Sequence, residues 1–138
     1  MGTMSHEPVT VGLWEVAFAR SGDKGDVADL NLFAPDGEVY AVLADQVDAD
    51  RVATLLHGLV AGPVTRYALP NVWAVKFVCA GALDGGAAAS PRADNLGKAL
   101  AAALLRLTVE LPAAAAERWR GHYTPPGDPY AGAEWVVR

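Results

Sequence analysis

The apolar residues of this chain run through one pattern twice. Each round has segments alternating with period two and then a stripe with helical period, an order that restricts the fold to a sheet covered by helices. In the first round Trp14, Val16 and Phe18 alternate along residues 13–20, leaving Leu13 and Ala17 outward. Ala28, Leu30, Leu32 and Ala34 then alternate against Asp29 and Asn31. Pro35-Asp36-Gly37 is turn chemistry, and residues 38–44, rich in Val and Tyr, read as a hairpin partner across it. Asp48 is placed to cap a helix whose Val52, Leu55, Leu56, Leu59 and Val60 form one apolar stripe, stopped by Gly62-Pro63.

The second round repeats this. Residues 64–69 and 73–80 read as paired strands about Pro70-Asn71, with Trp73, Val75, Phe77 and Cys79 inward. After a glycine- and alanine-rich stretch, Asp94 can cap a helix carrying Leu96, Leu100, Ala103, Leu104 and Leu107, which Pro112 ends. Two ββα halves, each closed by a helix with one apolar face, predict an α+β two-layer sandwich with both helices on one face of an antiparallel or mixed sheet. The other face then needs a cover, and oligomerisation is one way to supply it. Residues 1–12 read as a leading tail, 13–111 as the domain, and 112–138 as a tail in which Trp119, His122, Tyr123, Tyr130 and Trp135 alternate with Pro125, Pro126 and Pro129.

Charge and composition narrow the function. Eleven basic residues against sixteen acidic ones, with no basic run, argue against nucleic acid and anionic membranes as partners. No apolar segment reaches membrane-spanning length and residues 1–11 lack signal-peptide character, so the expectation is a cytoplasmic protein. Cys79, the one cysteine, lies in an apolar run and reads as a buried hydrophobe. The three histidines suggest neither a catalytic triad nor a zinc set.

The polar stretch Ala19-Arg20-Ser21-Gly22-Asp23-Lys24-Gly25-Asp26 separates two strand-like runs and reads as a loop. It has two readings. One is an exposed turn. The other is an anion cradle, in which Gly22 and Gly25 open the backbone while Arg20, Ser21 and Lys24 hold a carboxylate or phosphate. The Walker order is absent, and Asp23, Asp26 and Asp29 match no calcium loop, so neither a nucleoside triphosphate nor a metal is expected, and no cofactor. Asp23, Lys24 and Asp26 are the clustered candidates for acid–base work, with Asp29 beside them. The second glycine-rich stretch adds Arg92, which could join Lys24 in one pocket if the two segments meet at a sheet edge.

The chain resembles the small domain found at the C-terminus of acyclic terpene utilisation (AtuA) proteins and also as stand-alone chains. The resemblance rests on the residue 19–26 stretch, Gly62-Pro63-Val64 with Tyr67, Leu69-Pro70-Asn71, Phe77-Val78, Gly81-Ala82-Leu83-Asp84-Gly85-Gly86, and Arg92-x-Asp94-x-x-Gly97-Lys98. It departs at Ala28-Asp29-Leu30-Asn31, where the family usually has Ala-Asn-Ile-Gly. The resemblance implies a ferredoxin-like fold and a setting beside a larger AtuA-type protein, in catabolism of branched or terpenoid acyl compounds, often as coenzyme A thioesters. The expectation is a small subunit of an acyl-thioester- or carboxylate-processing complex of lyase or hydratase type. The alternatives are a homo-oligomeric hydratase working through residues 21–26 and a non-catalytic ligand-binding module.

Overall fold

The computed structural model describes residues 7–82 and 93–120. Two hairpins form its main sheet: β2 (Phe18–Lys24) with β3 (Val27–Phe33), and β4 (Val64–Leu69) with β5 (Ala74–Cys79). Their order is β2-β3-β5-β4 with every neighbouring pair antiparallel. β3 and β4 therefore run parallel with β5 between them, joined by a crossover through α2 (Gly37–Gln46) and α3 (Ala49–Leu55). This is the split β-α-β arrangement of ferredoxin-like folds.

Alternation decides which face is covered. Ala28, Leu30 and Leu32 of β3 lie opposite Cys79, Phe77 and Val75 of β5, and all six are fully buried. Val39 and Leu43 of α2, Val52 of α3, and Leu100 and Leu104 of α4 (Ala93–Leu104) complete that core from one side. The α+β plan with helices on one sheet face thus holds, the first helical section being two helices rather than one. A smaller sheet of β1 (Pro8–Gly12) and β6 (Thr108–Pro112), with α1 (Leu13–Val16) and α5 (Ala113–Trp119), adds Val11, Leu13, Val16, Val109, Leu111 and Ala116 to the core.

Several local expectations are corrected. Residues 13–20 are not one strand: a single helical turn intervenes, held by Glu15, whose carboxylate accepts from the Gly12 amide at 2.9 Å. Helical spacing turns Leu13, Val16 and Ala17 inward together, where strand alternation had put Leu13 and Ala17 outside. Residues 38–44 are helix rather than strand, because the Asp36 side chain caps the Val39 amide at 2.8 Å and Val39 and Leu43 fall one helical repeat apart on the core. Asp48 caps α3 as expected, accepting from the Arg51 amide, but the helix ends at Leu55 and Gly58 turns the chain at φ 90°.

Residues 8–12, read as tail, pair with β6, and Pro112 ends that strand and opens α5 rather than closing α4. Asp94 lies inside α4, not ahead of it. Trp73 is not inward on a strand: it closes a 3-10 turn in left-handed conformation, φ 53°, and stays 44% exposed.

Candidate functional site

Residues 21–26 are not a loop. The stretch Arg20-Ser21-Gly22-Asp23-Lys24 continues β2, pairing residue by residue with Asn31, Leu30, Asp29, Ala28 and Val27, and only Gly25-Asp26 form the turn. Gly25 takes φ 64°, as the first central residue of a tight two-residue hairpin requires. A ladder uses backbone groups, so polar side chains do not prevent pairing on a strand at the sheet edge.

Directly opposed residues of an antiparallel ladder share a face, so the register writes out the uncovered side of the sheet as rows. One row is Phe18, Phe33, Ala74 and Leu69; the next is Arg20, Asn31, Lys76 and Tyr67; the third is Gly22, Asp29, Val78 and Thr65. Phe18 and Phe33 stack with ring centroids 4.9 Å apart. At the centre Asn31 Nδ2 donates to Asp29 Oδ2 at 2.9 Å, and Lys76 Nζ stands 3.7 Å from the same oxygen. The Asp29 carboxylate also fills the space over Gly22, 2.7 Å from where a Cβ would sit.

This face differs sharply from the helix-covered one. Tyr67 is 51% exposed, and Phe18 and Leu69 nearly two-fifths, with Val72 and Trp73 exposed at the adjoining 3-10 turn. Arg20, Lys24 and Lys76 set three cations against the Asp29 carboxylate, on a chain whose formal net charge is −5. The face combines aromatic and aliphatic surface with a positive stripe.

The expected site residues divide between this face and one end of the sheet. Arg20, Gly22, Lys24 and Asp29 belong to the open face; Ser21 is exposed and pairs with Leu30; Asp23 pairs with Ala28; Gly25 and Asp26 make the turn; and Arg92 lies outside the described residues. Neither Lys24 nor Asp26 makes a side-chain hydrogen bond or ion pair with a described residue. The Asp26 carbonyl accepts from the Ala82 amide at 2.9 Å, which sets the start of the second glycine-rich stretch against the first turn. Gly62 meets the same end closely, donating to the Ala80 carbonyl at 2.9 Å.

The sheet also brings in residues that the sequence reading left unassigned: Asn31, Phe33 and Lys76. Their signal was present as the outward positions of period-two segments, but assembling them into rows requires the strand order. Cys79 lies on the covered side and is inert: burial, with the Asp29 carboxylate adding to it, pushes its thiol up to about 11. Among the described residues no group of three or more His, Cys, Asp or Glu side chains is placed to hold a metal. A shallow depression of about 500 Å³ beside α3 has Arg51 in its wall, but that guanidinium donates to the carbonyls of Gln46 and Thr108 and ties α3 to β6.

The family model of the AtuA ferredoxin-like domain matches residues 11–110. The chain belongs to that family. No curated protein and no solved structure matches the chain. The AtuA ferredoxin-like match runs from β1 into β6 and so contains the whole open face, while α5 follows it. Among the described residues of this family member no helix is long and apolar enough to cross a membrane.

Proposed function

We propose that this AtuA ferredoxin-like domain is a docking subunit that seats the open face of its four-stranded sheet on a larger AtuA-type protein, in a complex that processes acyl thioesters or carboxylates by hydration or a related lyase reaction. The observation that carries the reading is the uncovered face itself, with Tyr67, Leu69 and Trp73 exposed beside the Arg20–Asn31–Lys76 row. Aromatic residues and arginine dominate the energetics of such surfaces, each anchor contributing about 2 kcal/mol or more to binding. Family membership supports the choice of partner. In this reading the Gly25-Asp26 turn, which the Asp26–Ala82 hydrogen bond holds at one end of the sheet, borders the partner's site.

The stand-alone hydratase reading has less support. Acid–base catalysis needs a proton carrier aligned by its neighbours, whereas Lys24 and Asp26 occupy a strand end and a turn with no described side-chain partner.

Co-expression with an AtuA-type protein tests the docking reading. The expected result is joint elution in size-exclusion chromatography, lost in the Tyr67→Ser/Leu69→Ser double variant although that variant keeps its circular dichroism and melting transition. Separate elution of the unaltered chain overturns it.

A further inference from the structure

We propose that two copies of this chain join edge to edge through β4, in antiparallel register about a two-fold axis, so that their four-stranded sheets become one continuous sheet. The direction of the β4 backbone groups is the first argument. The Ala80 amide donates to the Pro63 carbonyl at 3.1 Å, so residue 63 turns its backbone toward β5. Alternation along the ladder then gives Thr65, Tyr67 and Leu69 to β5 and leaves the amides and carbonyls of Val64, Arg66 and Ala68 facing outward. Among the described residues no group bonds to them.

The other edges are protected. Along β6, Gln46 Nε2 donates to the Glu110 carbonyl at 2.9 Å while Gln46 Oε1 accepts from the Glu110 amide at 2.8 Å, and Arg51 Nη2 donates to the Thr108 carbonyl at 2.8 Å. A side-chain amide there stands in for a neighbouring strand. β2, at the opposite edge of the main sheet, carries Arg20, Asp23 and Lys24, the charged composition that discourages edge pairing. β4 has neither device. No proline or bulge interrupts Val64–Leu69, and its one charged side chain, Arg66, is drawn back to the Ala44 carbonyl at 2.8 Å while Tyr67 and Leu69 stay exposed.

The sequence of β4 is complementary to its own copy. With Tyr67 facing Tyr67 of the second copy, Arg66 and Ala68 stand opposite Ala68 and Arg66 of the other strand as hydrogen-bonded pairs, each exchanging both N–H···O bonds. The two tyrosines meet in a non-hydrogen-bonded pair, where opposed side chains are closest and aromatic pairs are favourable, and Thr65 faces Leu69. Centring the axis on Arg66 would set arginine against arginine, and centring it on Thr65 would carry Ala68 past the strand to Gly62. A two-fold pairing also closes, because each copy uses up the edge that the other offers. Both open faces remain uncovered and lie side by side, so the pairing is independent of the docking reading.

Sedimentation velocity on the full chain tests this. The mass is expected to rise with concentration toward twice that of the monomer. Ala68→Pro, which removes an outward N–H and leaves the ladder to β5 intact, is expected to stay monomeric with unchanged circular dichroism. A monomer at every concentration, or a dimer that Ala68→Pro leaves intact, overturns the proposal. Cross-linking reads the register, since the native Cys79 is buried. Under mild oxidation Tyr67→Cys is expected to form a covalent dimer on the order of tenfold faster than Thr65→Cys, whose opposite position is Leu69. Equal rates overturn the pairing even where Ala68→Pro fails to fold. A monomer that loses the AtuA-type protein on Ala68→Pro assigns the edge to that partner and overturns the dimer; a dimer that binds no AtuA-type protein removes the docking reading alone.

Discussion

Asp29 lies directly across the β2–β3 ladder from Gly22, and its carboxylate occupies the space that any side chain at Gly22 would need. The absence of a Cβ therefore lets Asp29 reach Asn31 and stand near Lys76 at the middle of the open face. Gly22→Ala gains strand propensity of about 0.5–1 kcal/mol but displaces the carboxylate. With Asp29→Ala already present, only the gain remains. A double-mutant cycle by urea denaturation is expected to give a coupling of about 1 kcal/mol between the two positions, and strict additivity would refute the arrangement.

Asp36 serves two elements with one carboxylate. Oδ1 caps α2 through the Val39 amide, Oδ2 accepts from the Trp119 indole, and Arg118 stands 3.6 Å from Oδ2. Asp36→Ala is expected to cost about 2 kcal/mol, the loss of a cap and of one half-buried hydrogen bond. Asp36→Asn, which can still cap, should recover about half of that in thermal melts.

At Gly62 an added Cβ would stand 2.7 Å from the Ala80 carbonyl oxygen, a backbone atom that cannot swing aside. Gly62→Ala is expected to destabilise the domain by roughly 2 kcal/mol, the magnitude of overpacking. Native-state hydrogen exchange should show faster exchange at the Gly62 and Ala80 amides, which bond across that contact.

Cys79 gives the fold an alkaline limit. Its thiol is held neutral up to about 11 when folded, while in the unfolded chain it ionises near its ordinary value, so above that value the unfolded state binds fewer protons and stability falls as pH rises. The Cys79 contribution is expected to be intact below pH 8 and to decline by roughly 2 kcal/mol by pH 11. Cys79→Ala should flatten that part of the curve, and an equal alkaline loss in the variant would assign it to other groups.

The parts of the fold that were legible share a cause. Residues 27–33 and 74–79 alternate cleanly because one face of each strand is fully buried, and Asp48 announces α3 because capping is a contact within three residues. Residues 38–44 misread because Val and Tyr favour strands in general, while Asp36 and the shared core contact of Val39 and Leu43 decide for helix here. The polar stretch after Phe18 misread as a loop because edge pairing draws on backbone amides and carbonyls, which composition does not reveal.

From the sequence alone came the two hairpin-and-helix rounds, the buried cysteine, the resemblance to the AtuA domain and the polar, glycine-bearing character of residues 20–29, since each depends on neighbours within a few positions along the chain. Only the tertiary structure decided that Arg20, Asn31, Lys76 and Tyr67 stand in one row, and that Asp26 meets Ala82. Those relationships join residues up to 56 positions apart. Strand order and register create them, and both follow from how the whole set of apolar faces packs into one core.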